Sequence, residues 1–316
     1  MQGFMIFNAI SGGTGSGFSS MVLERLADEF DQKSKLAFSI YPTDYDHPSR
    51  YPGNSIIEPY NAVMHLSNLI HNVDISFTLE NSAIYRVCRD RLRIERPTYG
   101  NLNRMMAQVI SSLTISLRRF SDFNIDINEY QTNLVPFKKR HFMLASLAPL
   151  KSAEETPRSY SVEQMTQDVF EQDMLLADCN EGNGDKYMAC CLIYRGNVST
   201  LEANKAVDMA QRRKTFNMVD WCPTGFKIGI NNSEPGYIEN GEMAKSNRSL
   251  TLISNSTSVQ QVFGRVCTRF DKLFSRRAFM KHYILSRTEE MDMIMAREDL
   301  STLHEFYDEI KAESTK

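Results

Sequence analysis

The sequence predicts an α/β protein with a parallel-sheet unit, a second α/β unit and a pair of long helices on the outside. Three observations lead there. A short apolar run, FMIFNAI at 4–10, ends on the glycine-dense GGTGSG at 12–17 and is followed at once by a helical pattern. Strand-like and helix-like runs then alternate with short links, the signature of βαβ units and a parallel sheet. From about 257 the pattern changes to long, charged, amphipathic helices. Boundaries follow at 1–80, 81–256 and 257–316.

The elements read in order. FMIFNAI has the Met-Ile-Phe character of a buried strand, with no basic region before it to suggest a signal peptide. FSSMVLERLADEF (18–30) has helical spacing, with Met21, Val22, Leu26 and Phe30 on the expected inner face. KLAFSIYP (35–42) is the next strand, TDYDHPSRYPGNS (43–55) a loop of turn formers, EPYNAVMHLSNLIHN (58–72) an amphipathic helix and DISFTLEN (74–81) a strand. Ala83, Ile84, Val87, Cys88 and Leu92 share a helix face. After RPTYG, the residues Leu102, Met105, Met106, Val109, Ile110 and Leu113 predict one long buried helix. HFMLASLAPL (141–150), KYMACCLIYRG (186–196), FKIGINN (226–232) and SLTLISN (249–255) are strands, and 259–284 and 291–313 are the two outer helices.

Bulk properties exclude several classes. A net charge of −3, from 36 basic and 39 acidic residues, lacks the basic excess of a general nucleic-acid binder. No stretch approaches the roughly 18 uninterrupted apolar residues of a membrane span. Cys88, Cys179, Cys190, Cys191, Cys222 and Cys267 form no CxxC pair, and reduced thiols in a cytosolic protein are expected.

Three clusters could carry chemistry. Gly12, Gly13, Thr14, Gly15, Ser16 and Gly17 link a strand to a helix, where bare backbone N–H groups and the helix N-terminus favour phosphate oxygens. A tight structural turn fits the same residues, and the run matches neither a Walker A loop nor G-x-G-x-x-G. In RPTYGNLNR, Tyr99 offers a face for a base to stack on, and Asn101 and Asn103 offer amide edges; taken alone, the cluster reads first as a turn with a helix start, and Asn81 has the same alternative. Asp126 and Glu129, three apart, share a helix face and could orient or deprotonate a water, or could be solvated helix charges.

Order and surroundings turn these signals into a resemblance. GGTGSGF is followed by IERPTYGNLNR, EYQTNLVPF, HFMLASLAP, KYMACCLIYRG, VDWCPTGFKIGIN, RAFMKHY and AREDL, and in this order the chain resembles the α-tubulin family over nearly its whole length. The acid in NEYQTNLVPF, where β-tubulin carries a lysine nearby, and the length of NSEPGYIENGEMAKSNRS (232–249) resemble the α type. The resemblance implies an incomplete Rossmann-like GTPase domain at 1–80, a core helix with a mixed-sheet intermediate domain at 81–256, and a C-terminal helical domain at 257–316. It implies GTP as ligand, with Gly12, Gly13, Thr14, Gly15 and Ser16 near the phosphates, Asn54 and Glu58 by the ribose, Asn81 and Asn103 on the guanine edge and Tyr99 stacked on the ring. Mg2+ is expected with GTP, with no metal ligand assigned in this chain. Glu129 matches the family's catalytic acid, acting in trans on GTP held by the β-subunit of the next heterodimer, with Asp126 supporting it. The implied partners are β-tubulin, neighbouring α-tubulin laterally, and microtubule-associated proteins and motors, in the cytoplasmic cytoskeleton.

Departures from the family pattern temper this. Ser11 replaces the first of three glycines, Ala9 stands where a serine is usual, Asn54 stands for a threonine, and the loop 43–55 is longer than expected. Family members carry a segment before the QGF at the start and a glutamate-rich tail after the last helix. The chain is therefore expected to be a fragment or a truncated gene product, with FMIFNAI as an open edge. The alternative function is a tubulin-like protein that does not bind nucleotide by itself.

Overall fold

The computed structural model describes residues 2–42, 56–118, 125–152, 160–179, 185–213, 216–238, 243–286 and 288–313. Its strands are β1 (Gly3–Ala9), β2 (Ser34–Tyr41), β3 (Ile75–Glu80), β4 (Phe142–Ala148), β5 (Tyr187–Gly196), β6 (Phe226–Asn231) and β7 (Arg248–Ser256). Its helices are α1 (Ser19–Glu29), α2 (Glu58–Asn72), α3 (Asn81–Asp90), α4 (Tyr99–Leu113), α5 (Ile115–Arg118), α6 (Ile127–Leu134), α7 (Val162–Asp168), α8 (Thr200–Arg212), α9 (Gln260–Phe274), α10 (Met280–Leu285) and α11 (Glu290–Ala312).

The strands form one mixed sheet in the order β1-β2-β3-β4-β7-β5-β6. The first four run parallel, β7 is antiparallel to both β4 and β5, and β6 is parallel to β5. The parallel and mixed portions are thus edge-joined through β3 and β4, over the short register Ser76↔Phe142 to Thr78↔Leu144.

Alternation along the strands places a core on each face. In β2, Ala37 and Tyr41 point to one cluster and Leu36 and Phe38 to the other; in β4, Phe142 and Leu144 part from Met143, Ala145 and Leu147 in the same way. The first cluster holds α2, α9 and α11; the second holds α3, α4 and α6. A third, built from α7, α8, β5 and β7, covers the far end of the sheet. Helix α2 starts with Glu58 and Pro59, residues suited to the positive, N–H-rich end of a helix. Between α1 and the outer helices, it fully buries Tyr60, Val63, Leu66 and Leu69. Burial of each aliphatic side chain of this size contributes roughly 1.5–3 kcal/mol.

Every residue of β5 is buried, and the adjacent Cys190 and Cys191 face different cores. All six cysteines are unbridged, and burial pushes the Cys191 thiol up to about 12.

Several expectations need correction. β1 is not a buried strand but, as the resemblance implied, an edge: it is outermost in the sheet among the described residues, and Phe7 is 56% exposed. One side of β1 pairs with β2, and a stacked ladder Phe7–Phe38–Phe77 runs across the three strands. The inner face of α1 is Leu23, not Met21, which is 64% exposed, because a helix over an edge strand is covered on one side only. The long helix after RPTYG breaks at Thr114, whose hydroxyl bonds back to the Ile110 carbonyl at 2.8 Å. The outer helix expected over 259–284 also breaks, between α9 and α10, at a turn where Arg277 (φ 49°) and Phe279 (φ 61°) are left-handed.

Candidate functional site

The glycine run leaves the C-terminal end of β1 and enters α1 through a wide π-helical turn at Thr14–Phe18. Gly12, Gly13 and Thr14 are exposed, Gly15 is half-buried and Ser16 is buried. Side chains hold the loop's carbonyls. Asn61 Nδ2 donates to Ser11 O (3.1 Å), Ser16 Oγ to Gly12 O (2.6 Å) and Asn8 Nδ2 to Gly15 O (2.9 Å). In a planar trans peptide the next residue's N–H points opposite to the carbonyl, so the N–H groups of Gly12 and Gly13 face away from these anchors. A Cβ at Gly13 would meet no heavy atom within 4 Å, and one at Gly12 only the Ala9 oxygen at 4.0 Å. Internal packing therefore does not require glycine at either position, whereas close approach of an anion does. Gly15 differs: a Cβ there would meet the Ala9 carbonyl oxygen at 2.4 Å.

Parallel register brings further expected residues to the same end. Ala9 pairs with Ile40 and Tyr41 with Glu80, so the C-terminal ends of β1, β2 and β3 lie side by side. Glu58 opens α2 and Asn81 opens α3, each following one of these strand ends, and both are half-buried. Such a row of strand ends and helix starts is where open parallel sheets bind phosphate-bearing ligands. Asn54 lies outside the described residues.

The first turn of α4 separates the two asparagines that the sequence left equivalent. Asn101 is buried, its Oδ1 accepting from the Thr98 N–H and hydroxyl at 2.7 Å each, so it caps the helix. Asn103 is exposed, as is Tyr99 at 56%.

Asp126 and Glu129 lie at the other end of the sheet. Asp126 is the N-cap residue of α6 and Glu129 is in its first turn. They line an open groove with Gln2, Gly3 and Met5 of the β1 start. From the same helix, Asn128 accepts from Ser34 Oγ at 2.8 Å, and Ser34 pairs with Gly3 at the opening of β2 and β1. The seven residues of β1 stand between this groove and the glycine loop, a span of about 20 Å at the rise of an extended strand. The end of α4 is on the groove side too, because the Tyr130 hydroxyl donates to Leu113 O at 3.0 Å. Tyr99, at the start of that helix, is about 20 Å away along its axis.

Glu129 has a partner that sequence reasoning missed. Lys227 Nζ of β6 lies 3.4 Å from its Oε2, with both side chains about two-fifths exposed. The alternation of FKIGIN offered a signal, since it sends Lys227 out of the sheet on the face opposite its neighbours. Asn8, Asn61 and His65 behind the glycine loop were missed as well. Asn61 and His65 are one helical turn apart on an otherwise apolar stretch of α2, which was the available signal.

Comparison with known proteins identifies the family. The chain matches the Tubulin/FtsZ family, GTPase domain, over residues 1–89, and the Tubulin C-terminal domain over residues 139–268. It is 46% identical over 317 aligned positions to the Tubulin alpha-2B chain of Physarum polycephalum, covering 100% of this chain and 69% of that relative. With the glycine loop, the mixed sheet and the outer helices in place, the chain belongs to the tubulin family, as a divergent α-tubulin.

Proposed function

We propose that this chain is a structural subunit of microtubules that carries GTP on its glycine loop, pairs with β-tubulin and presents Glu129 to the nucleotide of a neighbouring β-subunit. The carrying observation is the placement of the glycine loop and of Asp126 with Glu129 at opposite ends of the parallel strands. A carboxylate about 20 Å from its own chain's loop cannot touch a ligand there. It can reach a ligand only on another subunit stacked head to tail, the arrangement that generates open filaments.

In this reading Gly12, Gly13 and Thr14 face the phosphates while Ser16, whose N–H and hydroxyl both go to Gly12 O, and Gly15 shape the loop rather than touch them as expected; Glu58 and Asn54 lie by the ribose, Asn81 and Asn103 bind the guanine edge and Tyr99 stacks on it. The exposed, packing-free Gly12 and Gly13 fit that ligand. When bound, GTP supplies the phosphoanhydride bond that is cleaved. Glu129 orients an attacking water and accepts its proton, Asp126 adds negative charge beside it, and Lys227 holds Glu129 in place until the neighbour docks. Mg2+ would accompany the phosphates of GTP, and no residue of this chain is proposed to hold it. The units 1–80, 81–256 and 257–316 serve as nucleotide, assembly and outer helical portions. The outer helices would face microtubule-associated proteins and motors, and lateral contacts would join neighbouring α-subunits.

The test is co-assembly with β-tubulin, followed by phosphate release. Glu129→Ala should leave the chain's own guanine nucleotide content and its assembly intact, and slow hydrolysis in the polymer by about a hundredfold or more. Hydrolysis at the unaltered rate would remove the assigned role. A well-folded chain that carries no guanine nucleotide at saturating GTP would favour the non-binding alternative.

A further inference from the structure

Behind the glycine loop is a buried polar relay. His65, on α2, is 1% exposed. Its Nε2 lies 2.6 Å from Asn8 Nδ2 and its Nδ1 lies 2.7 Å from Ser20 Oγ of α1. Asn8 stands on β1, one residue before the strand ends, and its Nδ2 also reaches Gly15 O at 2.9 Å and Ser19 Oγ at 3.1 Å. Ser39 of β2 donates to Asn8 Oδ1 at 3.1 Å. The Gly15 carbonyl accepts only, so the amide nitrogen of Asn8 must face the loop. That nitrogen cannot accept, so His65 Nε2 accepts from it, and the ring proton sits on Nδ1 and is donated to Ser20. The relay joins β1, β2, α1 and α2 to one carbonyl of the glycine loop.

We propose that His65 and Asn8 are positioning residues for the phosphate loop: His65 fixes the Asn8 amide, Asn8 fixes the Gly15 carbonyl, and the opposite N–H of that peptide, on Ser16, bonds the Gly12 carbonyl at 2.9 Å and so sets the outward direction of the Gly13 N–H. This rests on the reading of the loop as the GTP site and adds the residues that set its shape. The π-turn at Thr14–Phe18 is held by side chains from outside it as well as by its own backbone bonds. At Gly15 the anchors are Asn8 and the Ser19 hydroxyl, and the Asn8 amide is itself held by His65. Neutral His65 suits the role, since a proton on Nε2 would set donor against donor at Asn8; burial lowers its pKa to about 4.

The test is calorimetric titration of the full chain with GTP and, separately, with guanosine, which has the base and ribose but no phosphate. Folding of each variant is checked by circular dichroism. His65→Phe keeps a ring of similar size and removes both nitrogens. It should weaken GTP binding about tenfold and leave guanosine binding unchanged. His65→Gln, which offers an acceptor to Asn8, should restore most of the GTP affinity, and Ser20→Ala should give a smaller loss of the same kind. Equal GTP affinity in folded His65→Phe overturns the proposal, as does a parallel loss for guanosine, which marks a general loosening. Should His65→Phe not fold, Ser20→Ala decides, and unchanged GTP affinity in it overturns the proposal. An unaltered chain that binds neither probe defeats the nucleotide reading and this inference together, a result distinct from a binding chain indifferent to His65.

Discussion

A Cβ added at Gly15 would strike the Ala9 carbonyl oxygen at 2.4 Å, whereas one added at Gly13 would meet nothing within 4 Å. Gly13 also has ordinary right-handed helical angles, φ −60° and ψ −52°, that alanine adopts without strain. The two glycines therefore separate folding from binding. Gly13→Ala should leave thermal stability unchanged or raise it by about 0.4–1 kcal/mol through the unfolded state, while weakening GTP binding. Gly15→Ala should cost about 1–3 kcal/mol, because the clash is with backbone of β1 that cannot rotate away. Calorimetric melting beside a nucleotide titration checks both. The same residue-level logic sorts the asparagines: Asn101 spends its carbonyl oxygen on Thr98, while Asn103 is exposed to a ligand. Spacing alone could not distinguish them, since a capping residue and a ligand-binding residue have the same side chain two positions apart.

Among the elements, the break between α9 and α10 is the least legible from sequence. The apolar periodicity continues through 259–284, and the usual punctuation by glycine or asparagine is absent from the turn at 275–279. Instead Arg277 and Phe279 take left-handed angles, and a tertiary contact from α2 supports the turn: the Tyr60 hydroxyl donates to Ala278 O at 2.7 Å. The Tyr60 ring is fully buried and packs against Phe270 of α9 and Tyr283 of α10 at 5.5 and 5.3 Å. Tyr60→Phe keeps these ring contacts and loses the bond. It should lower stability by about 1 kcal/mol, read as a lower denaturation midpoint at unchanged slope, with faster amide exchange confined to 275–279.

At the scale of the molecule, two buried histidines tie stability to pH. His65 beside the glycine loop and His141 at the start of β4, bonded to Leu69 O at 3.1 Å, both have pKa values lowered by burial to about 4, against an ordinary 6.5. The folded state therefore holds these rings neutral, and the unfolded chain takes up the protons first as pH falls. Their stabilisation is complete above pH 6.5 and is lost as pH drops toward 4. Linkage puts the loss near 2 kcal/mol per histidine between pH 7 and pH 5. His65→Gln should remove roughly half of this histidine-linked slope in denaturation curves measured across that range; an unchanged slope would show that His65 is not among the groups responsible.

By itself the sequence determined the elements and the family. Short apolar runs located every named strand, and the ordered motifs from GGTGSGF to AREDL carried the α-tubulin resemblance that the comparisons bear out. These are local properties, written in side-chain spacing and short-range turn chemistry. Tertiary structure decided what lies beside what. It joined the parallel and mixed strands into one sheet, broke two helices that looked continuous, and set Lys227 against Glu129 and His65 behind the glycine loop. It also put the glycine loop and the two carboxylates at opposite ends of the same strands. The physical reason is that strand pairing and helix packing join residues far apart in the chain, and no window of sequence contains both partners.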